Sequence, residues 1–329
     1  MMFSRYNLFT SYFFKRHSQV FPTTLFVEPT NHCNLSCFMC PHGKMRRDKG
    51  LMDIELFREI MGQAASGGTR ALILHFMGES LIHPRLPEFI SLARRRGFYV
   101  QLSTNGTLLT RDKVGEILAA GPNLISIDFD GDSPEAYEAA RSGARFGTVL
   151  GNIKTALRER DARAPGCAIA LQIIMFPGQR GDLLNRLTPE ETRAVEVRRK
   201  FFNDTFAAGA PVIHKRPCFH LWNDMTIAWN GDVPLCCVDY DCARPLGRIG
   251  DSSIGAIWNG EVINGLRAKH RSLDYDDLPL CGSCSLPNQP HFNPLYVAAS
   301  ILTGPVLTRR LMSPALNLLQ RLQSFSRPA

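Results

Sequence analysis

The chain has 329 residues, of which 44% are hydrophobic and 21% are charged, and its formal net charge is +8. This length and composition suffice for one large globular domain or two ordinary ones, and they exclude a disordered or fibrous protein. The positive residues are dispersed rather than gathered in one arm, so we expect no nucleic acid as a partner.

Residues 1–22 form a segment rich in aromatic and basic side chains. It lacks both the continuous apolar core and the small-residue cleavage site of a signal peptide. The cysteines of the chain are grouped like metal ligands rather than spread like a disulfide framework. We therefore expect a cytoplasmic protein.

Three cysteines, Cys33, Cys37 and Cys40, follow the β-branched run 23–27, which predicts a strand. Closely spaced thiolates favour an iron–sulfur cluster over a hard cation, and three ligands leave one iron of a four-iron cluster without a protein ligand. An open metal position is typical of catalytic sites. A zinc site completed by a neighbouring histidine, or three buried thiols without a metal, stays open at this point.

Short apolar runs then alternate with longer helix-like stretches up to about residue 215. This alternation predicts parallel βα units joined by right-handed crossovers, with the active site at the carboxyl ends of the strands. Composition alone does not distinguish a partly open barrel from a doubly wound sheet. The runs after the first are 71–76, 99–102, 124–127 and 168–174.

The segment 178–211 is polar and charged, and we predict a loop and a helix that join two regions of the chain. After it, Asn230-Gly231 predicts a two-residue hairpin turn. The organisation of the chain changes here, because no further βα alternation follows.

A second cysteine group surrounds the predicted turn. Its four thiolates are sufficient to saturate a cluster, which then serves electron transfer or structure. Cys237 is expected to point away from this group, because neighbouring side chains on a strand face opposite ways. The predicted ligands are Cys218, Cys236, Cys281 and Cys284.

The final segment, 291–329, contains no acidic residue, and its longest apolar run is too short to span a bilayer. We predict an apolar and basic helical tail. Such termini suit either a membrane surface or helices packed on the body of the protein, so peripheral membrane contact stays open. The predicted divisions of the chain are 1–22, 23–215, 216–290 and 291–329.

The first cysteine loop, Cys33-x3-Cys37-x2-Cys40 followed by Pro41, resembles the cluster loop of the radical S-adenosylmethionine (radical SAM) superfamily. The second cysteine group resembles the SPASM/twitch extension of that superfamily, with late-cysteine spacing similar to that of the 2-deoxy-scyllo-inosamine dehydrogenases. The resemblance implies an α/β fold, a partial (β/α)6 radical SAM barrel followed by a small SPASM/twitch-like iron–sulfur domain. It implies a [4Fe-4S] cluster that binds S-adenosylmethionine, S-adenosylmethionine itself and one auxiliary [4Fe-4S] cluster.

The same resemblance assigns cofactor-binding roles to residues near the strand ends. Met77-Gly78-Glu79-Ser80 resembles the Gly-Gly-Glu-Pro motif of the superfamily and departs from it at the first and last positions. Each of these segments also has an ordinary alternative, such as a surface turn or a helix cap. The implied cofactor-binding residues are Gly78, Glu79, Ser103, Asn105, Ser126 and Arg141.

The resemblance implies a radical SAM oxidoreductase that abstracts hydrogen from a small polar or carbohydrate-like molecule and oxidises it. Asp128 and Asp130 are predicted either to face the substrate or to cap a helix. Alternatives are a peptide or protein maturase and a redox-neutral epimerase with Cys167 or Cys242 as the candidate hydrogen donor. A flavodoxin- or ferredoxin-type protein is the expected electron donor. A non-enzymatic iron–sulfur or zinc-binding protein is a remote alternative.

Overall fold

The strands of the main sheet run in one direction, so their carboxyl ends meet at one edge. The computed structural model describes residues 20–176, 179, 181–201, 217–284 and 286, and its largest sheet has the strand order β6-β5-β4-β3-β2-β1-β7. Every neighbouring pair in this sheet is parallel. The strands are β1 (Thr24–Val27), β2 (Ala71–Leu74), β3 (Tyr99–Thr104), β4 (Leu124–Asp128), β5 (Ala168–Met175), β6 (Glu196–Phe201) and β7 (Asp224–Ile227).

The predicted parallel α/β core is confirmed, and the two edge strands extend it. β6 lies inside the segment predicted as loop and helix, where its charged side chains conceal a strand pattern. An edge strand tolerates such charges because one of its sides is not covered by another strand. β7 comes from beyond residue 215 and pairs in register with β1. The predicted terminal segments, apart from residues 20–22, lie outside the described residues.

Helices connect the strands, as parallel pairing requires. A short antiparallel pair follows β7, and the predicted Asn230-Gly231 turn joins β7 to its first strand, with Gly231 at a φ of 91°. This pair consists of β8 (Asp232–Val233) and β9 (Gly247–Arg248). The helices are α1 (Ile54–Gly67), α2 (Leu86–Arg95), α3 (Arg111–Ala120), α4 (Pro134–Ala140), α5 (Phe146–Arg163), α6 (Pro189–Arg193), α7 (His220–Asn223), α8 (Ile254–Asn259), α9 (Glu261–Ser272) and α10 (Pro279–Gly282), with 3₁₀ helices at Pro41–Lys44, Ser80–Ile82 and Leu183–Arg186.

The ends of α1 show why a helix forms there. Asp53 precedes it and accepts a hydrogen bond from the backbone N–H of Glu55, and Gly68 ends it at a φ of 89°. On the inner side of the helix, the ring of Phe57 stacks on Phe89 of α2 with centroids 4.1 Å apart. The two helices therefore pack on one another while they cover the sheet.

One face of the sheet is sealed by apolar packing, and the other lines a concave space that we call the lumen. Leu25 and Val27 of β1 are fully buried, as are their neighbours on β2 and β3. On the opposite face, the Nη1 atom of Arg198 on β6 lies 3.5 Å from the Oε1 atom of Gln101 on β3. Since β3 and β6 are three strand spacings, about 14 Å, apart, these two long side chains lie across the strands between them on this face.

A second compact unit contains α7, α9 and α10. The guanidinium of Arg267 on α9 is fully buried, and its Nε atom donates to the backbone oxygen of Leu221, 2.9 Å away. Arg271, one turn later, places its guanidinium carbon 5.8 Å from the ring centroid of Trp222. Arginine side chains thus attach α7 to α9 within this unit.

A buried ion pair fixes the loop that follows β1. Glu28 is fully buried and accepts two hydrogen bonds from the guanidinium of Arg47, at 2.6 and 2.5 Å. It also accepts the backbone N–H groups of Met77, after β2, and Trp229, after β7, at 3.2 and 3.1 Å. One carboxylate therefore joins the ends of three strands to the loop.

No helix within the described part of the chain combines the length and the apolar character that are needed to cross a membrane.

Substitution of Arg47 by alanine should destabilise the folded protein. Arg47→Ala leaves Glu28 buried without its counter-charge, so we expect the free energy of unfolding to fall by about 3–5 kcal/mol. Arg58→Ala is the matched control, because its ion pair with Glu55 is exposed and should contribute about 1 kcal/mol at most. Urea denaturation of both variants measures the difference, and equal losses would contradict the role assigned to Glu28.

Candidate active site

The three cysteines of the first group lie on a braced loop, residues 28–50, which we call the cysteine loop. The Oγ1 atom of Thr30 donates to the backbone oxygen of Gly50 at 2.7 Å, and the Nδ2 atom of Asn31 donates to that of Asp48 at 2.8 Å. The Oδ1 atom of Asn31 in turn accepts the Gly50 N–H at 2.8 Å. The returning chain therefore holds the segment just before Cys33 from one side.

Burial raises the pKa of the thiols of Cys33, Cys37 and Cys40, and that of Cys37 reaches about 12. The negative charge of a Cys40 thiolate further raises the pKa of Cys33 and of Cys37, so the three groups lie close enough to interact electrostatically. Metals bind the thiolate, so loading this loop with metal must release protons.

The loop after β2 approaches the cysteine loop more closely than a side chain would allow. A Cβ atom on Gly78 would lie 2.2 Å from the backbone oxygen of Thr30 and 2.7 Å from that of His32. The next residue, Glu79, donates its backbone N–H to the His32 oxygen at 2.8 Å. Glycine is therefore required at position 78 by the contact between the two loops.

The carboxylate of Glu79 is buried and accepts three hydrogen bonds. They come from the Thr104 hydroxyl at 2.8 Å and from the backbone N–H groups of Asn105 and Leu81 at 2.7 and 3.0 Å. Burial nevertheless raises its pKa from 4.5 to about 7, since the three hydrogen bonds offset only part of the loss of solvation. Glu79 joins the ends of β2 and β3 beside the cysteine loop.

The turn after β3 also contacts the cysteine loop. The Nδ2 atom of Asn105 donates to the Oδ1 atom of Asn34 at 3.0 Å. Ser103 lies on the lumen face and is paired in register with Ser126 of β4. The structure thus brings Gly78, Glu79 and Asn105 to the cysteine loop, and it places the two serines on neighbouring strands of the lumen.

Arg141 links the cysteine loop to the lumen. Its Nη2 atom lies 2.5 Å from Asp130 and 3.2 Å from Asp128, and its Nη1 atom lies 4.0 Å from the sulfur of Cys37. Asp130 also accepts the backbone N–H of Ile174 at 2.6 Å, so it is a structural partner of β5 rather than a helix cap. Asp128 keeps part of its surface exposed to the lumen.

The donor set of the cysteine loop fits an iron–sulfur cluster that has one open iron. Three neighbouring soft ligands lie on one loop, and the guanidinium of Arg141 next to Cys37 offsets the negative charge of a thiolate-bound cluster. Among the described residues, no three His, Cys, Asp or Glu side chains converge on a position for a single metal ion. A cube needs no such convergence, because it holds each thiolate at a different corner.

The second cysteine group is divided between the two compact units. Cys236 lies in the unit that contains the sheet, and its sulfur accepts the Val238 N–H at 3.4 Å. The other three lie in the second unit, where the Cys284 N–H donates to the Cys281 oxygen at 3.1 Å and the Cys218 N–H to a ring nitrogen of His270 at 3.2 Å. Their role as one ligand set stays a prediction.

Of the two candidate hydrogen donors, Cys242 lies beside the cysteine loop, since the charges of Arg47 and Glu28 act on its thiol, and Cys167 lies elsewhere. Cys167 comes just before β5, at the amino edge of the sheet, and burial raises its pKa to about 11. Cys242 lies after β8 at a φ of 50°, and burial raises its pKa to about 12. Cys237 is near Lys200 of β6, as the electrostatic interaction between the two groups shows.

Two features of the site were not predicted from the sequence. The bridging role of Glu28 was missed, although an acidic residue directly after the apolar run 23–27 is an available signal. The basic side chains of β6 were also missed, because the segment 178–211 does not show the alternation expected of a strand.

Two family models match the chain in the predicted order. One, described as the radical SAM superfamily, matches residues 27–182, and the other, described as SPASM, an iron–sulfur cluster-binding domain, matches residues 218–285. The first covers the cysteine loop and the strands from β2 to β5, and the second covers all of the second cysteine group. Both domains are confirmed. They imply a [4Fe-4S] cluster that binds S-adenosylmethionine, S-adenosylmethionine itself and auxiliary iron–sulfur binding.

Curated relatives match over part of their length. The tungsten-containing aldehyde ferredoxin oxidoreductase cofactor-modifying protein of Pyrococcus furiosus is 35% identical over 107 residues, which are 32% of this chain and 30% of that protein. The PqqA peptide cyclase of Streptomyces rochei is 31% identical over 160 residues, 48% of this chain and 42% of that protein. The chain therefore spans less than half the length of either relative.

Solved structures match over more of the chain. BtrN in complex with AdoMet and 2-DOIA has a TM-score of 0.57 at 19% identity and covers 80% of this chain and 92% of that one. SuiB of Streptococcus suis bound to precursor peptide SuiA has a TM-score of 0.56 at 13% identity, with 76% and 67% covered. Native anSMEcpe with bound AdoMet has a TM-score of 0.58 at 13% identity, with 91% and 99% covered. These likenesses show a shared fold.

Gly78→Ala should disturb the cysteine loop. The added Cβ forces the backbone at Thr30 to move, so we expect a loss of about 1–3 kcal/mol in the free energy of unfolding and less iron per chain after anaerobic reconstitution. Gly43→Ala is the matched control, since a Cβ there meets nothing within 4 Å. Iron and sulfide analysis together with urea denaturation measures both effects. Normal iron content in Gly78→Ala would contradict the close contact.

The pKa of Glu79 predicts a pH-dependent stability. Its folded value of about 7 lies above its ordinary value of 4.5, so the stabilisation is fully present below pH 4.5 and is lost as the pH rises through 7. We expect the advantage of the metal-free wild type over Glu79→Gln to shrink by about 3 kcal/mol between pH 4.5 and pH 8. Glu55→Gln, at an exposed carboxylate, is the control. Urea denaturation across this range provides the test, and a constant difference would contradict the raised pKa.

Proposed function

Because the chain belongs to the radical SAM superfamily and carries a SPASM domain, we propose that it oxidises a small polar, carbohydrate-like molecule. When bound, the clusters and S-adenosylmethionine would supply a 5′-deoxyadenosyl radical, which takes a hydrogen atom from carbon, and an acceptor for one further electron. The observation that carries the proposal is the contact of Arg141 with both Cys37 and Asp128, which joins the cysteine loop to a polar lumen.

The cysteine loop would hold the first cluster through Cys33, Cys37 and Cys40. Arg141 would balance part of its charge and would keep the Cys37 sulfur at the carboxyl edge of the sheet. The closely packed loop around Gly78 would leave no room for a side chain beside the cofactor. The cofactor contacts assigned to Glu79, Ser103, Asn105, Ser126 and Arg141 are part of this proposal.

The lumen is suited to a polar substrate. Asp128 accepts a hydrogen bond from the Nε2 atom of Gln172 at 3.0 Å and retains acceptor capacity, since a carboxylate has about four acceptor positions. Gln101 and Ser103 add further polar atoms on β3, with the Nε2 atom of Gln101 3.4 Å from the Ser103 Oγ atom. When the carbon that has lost hydrogen becomes a carbonyl, Asp128 would accept the proton of its hydroxyl group.

The second candidate is the modification of a peptide. The similarity to PqqA peptide cyclase, 31% identical over 160 residues, favours it. An electron donor of the flavodoxin or ferredoxin type would serve either reaction. The two proposals differ in the substrate that the lumen accepts. We prefer the first because the lumen offers a small number of polar side chains, which is how small-molecule sites fix the orientation of a ligand.

Substitutions in the two cysteine groups should have different effects. In an anaerobic assay of the reconstituted protein with a chemical reductant, Cys37→Ala should lower the formation of 5′-deoxyadenosine at least about 100-fold, because the first cluster cannot assemble. Cys284→Ala should still form 5′-deoxyadenosine but should lose the oxidised product. Chromatography of the nucleoside and mass spectrometry of products from a panel of cyclitols and amino sugars measure both quantities.

The oxidation state of the product decides between the alternatives. A product that is two hydrogen atoms lighter than the substrate supports the proposed oxidation. A product of unchanged mass that takes up solvent deuterium indicates an epimerase, and modification of a peptide substrate indicates a maturase. Normal formation of 5′-deoxyadenosine by Cys37→Ala would contradict the assignment of the cysteine loop itself.

A further inference from the structure

β6 carries two basic side chains on the lumen face. Arg198 is paired in register with Gln172, and Lys200 is paired with Ile174. Because alternate residues of a strand share a face and are about 7 Å apart, the two cations lie side by side. The contact of Arg198 with Gln101 places this face toward the lumen.

The guanidinium of Arg198 is not fully used by its protein partners. Its Nη2 atom lies 2.8 Å from Glu196, and its Nη1 atom lies 3.5 Å from Gln101. Its Nε atom is buried and has no hydrogen-bond partner in the structure as described. A buried donor without a partner is costly, so a ligand oxygen that reached this N–H would remove that cost.

Lys200 faces a space that protein surrounds but does not fill. Burial lowers its pKa, while Asp128 and Cys237 oppose that change. Lys200 is nevertheless exposed, whereas Arg198 and Arg199 are half-buried. The lowered pKa and the exposure to solvent are compatible if the ammonium projects into the lumen, where protein groups surround it without contacting it. Within the described ranges, no carboxylate comes within ion-pair distance of this ammonium.

The nearby acids are already engaged. Asp130 and Asp128 both pair with Arg141, and Asp128 also accepts from Gln172. His75, after β2, lies near both Asp128 and Lys200, and burial lowers its pKa, which favours a neutral ring. Arg198 on β6 pairs with Glu196, whereas Lys200 has no carboxylate partner among the described residues. Lys200 lies next to a neutral ring that can donate or accept one hydrogen bond.

We propose that Arg198 and Lys200 bind an anionic oxygen group of the substrate, a carboxylate or a phosphate, at the β6 side of the lumen. The identity of the ligand as a substrate rests on the proposed function, whereas the anion site rests on the geometry of β6. An anion bound there would direct the remainder of the molecule across the lumen toward Asp128 and the cysteine loop. The substrate class is thereby narrowed to polar molecules that carry at least one negative charge.

Pyridoxal 5′-phosphate is a suitable probe for this site. Its aldehyde forms an imine only with a neutral amine, which a lysine of lowered pKa supplies, and its phosphate can occupy the anion site. Pyridoxal, which lacks the phosphate, is the matched probe. The full chain, reconstituted with iron and sulfide, is treated with each probe under cyanoborohydride, and the modified lysines are located by mass spectrometry. Lys113 on α3, paired with Glu116 at 2.7 Å, is the internal control.

Lys200 should be modified about tenfold faster by pyridoxal 5′-phosphate than by pyridoxal, because the phosphate adds a charge-assisted contact. Arg198→Gln should reduce this ratio toward one, and Lys113 should react equally with both probes. Inorganic phosphate or acetate should slow the modification of Lys200, and the more effective of the two identifies the preferred anion. A ratio of one at Lys200 in the wild type, an equal increase at Lys113, or protection by neither anion would overturn the proposal.

This experiment is independent of the radical reaction, because the labelling requires neither a reduced cluster nor S-adenosylmethionine. Failure of the labelling in a protein that forms 5′-deoxyadenosine would refute the anion site and leave the proposed function intact. Selective labelling of Lys200 in a protein that forms no 5′-deoxyadenosine would refute the proposed function and leave the anion site.

Discussion

The buried carboxylate of Glu28 is the interaction on which the rest of the site depends. An isolated charge in the interior is strongly unfavourable, and here it is satisfied by the guanidinium of Arg47 and by two backbone N–H groups. Arg47 follows Cys40 in the chain and also donates to the backbone oxygen of Tyr240 at 2.7 Å. The cysteine loop is therefore attached at both of its ends, and its three sulfurs are held at the carboxyl edge of the sheet.

Further ionisable side chains, on Arg141 and Glu79, lie on two sides of the cysteine loop. Arg141 neutralises Asp130 in the interior and reaches both Asp128 and Cys37, so one guanidinium connects the metal-binding thiols to the lumen. Glu79 lies on the other side of the loop, and burial favours its neutral form. The cysteine loop thus lies between a cation and a carboxyl group whose charge depends on pH. The lumen beyond Asp128 carries its own positive charge on Lys200.

The fold is shared with proteins of different chemistry, and it therefore does not by itself define the reaction. The likeness to BtrN and to SuiB shows that similar architectures hold different molecules, 2-DOIA in one and a precursor peptide in the other. In this chain, the polar side chains of the lumen face are the groups that would contact a substrate under the proposed function. On β3, β4 and β6 they include Gln101, Ser103, Ser126, Asp128, Arg198 and Lys200, whereas the helix-covered face of β3 and β4 is largely apolar.

The spacing of the cysteines and the alternation of strands and helices were decided by the sequence alone. Both depend on residues that are close in the chain. Cys33, Cys37 and Cys40, which follow an apolar run, could therefore be predicted as cluster ligands from the sequence. The ion pairs and the lumen were decided only by the tertiary structure. Glu28 meets the backbone of Trp229 across 201 residues, and Arg198 meets Gln101 across 97. Such contacts arise from the strand order of the sheet, which local patterns do not encode. The charged edge strand β6 could be identified only once its parallel pairing with β5 was in place.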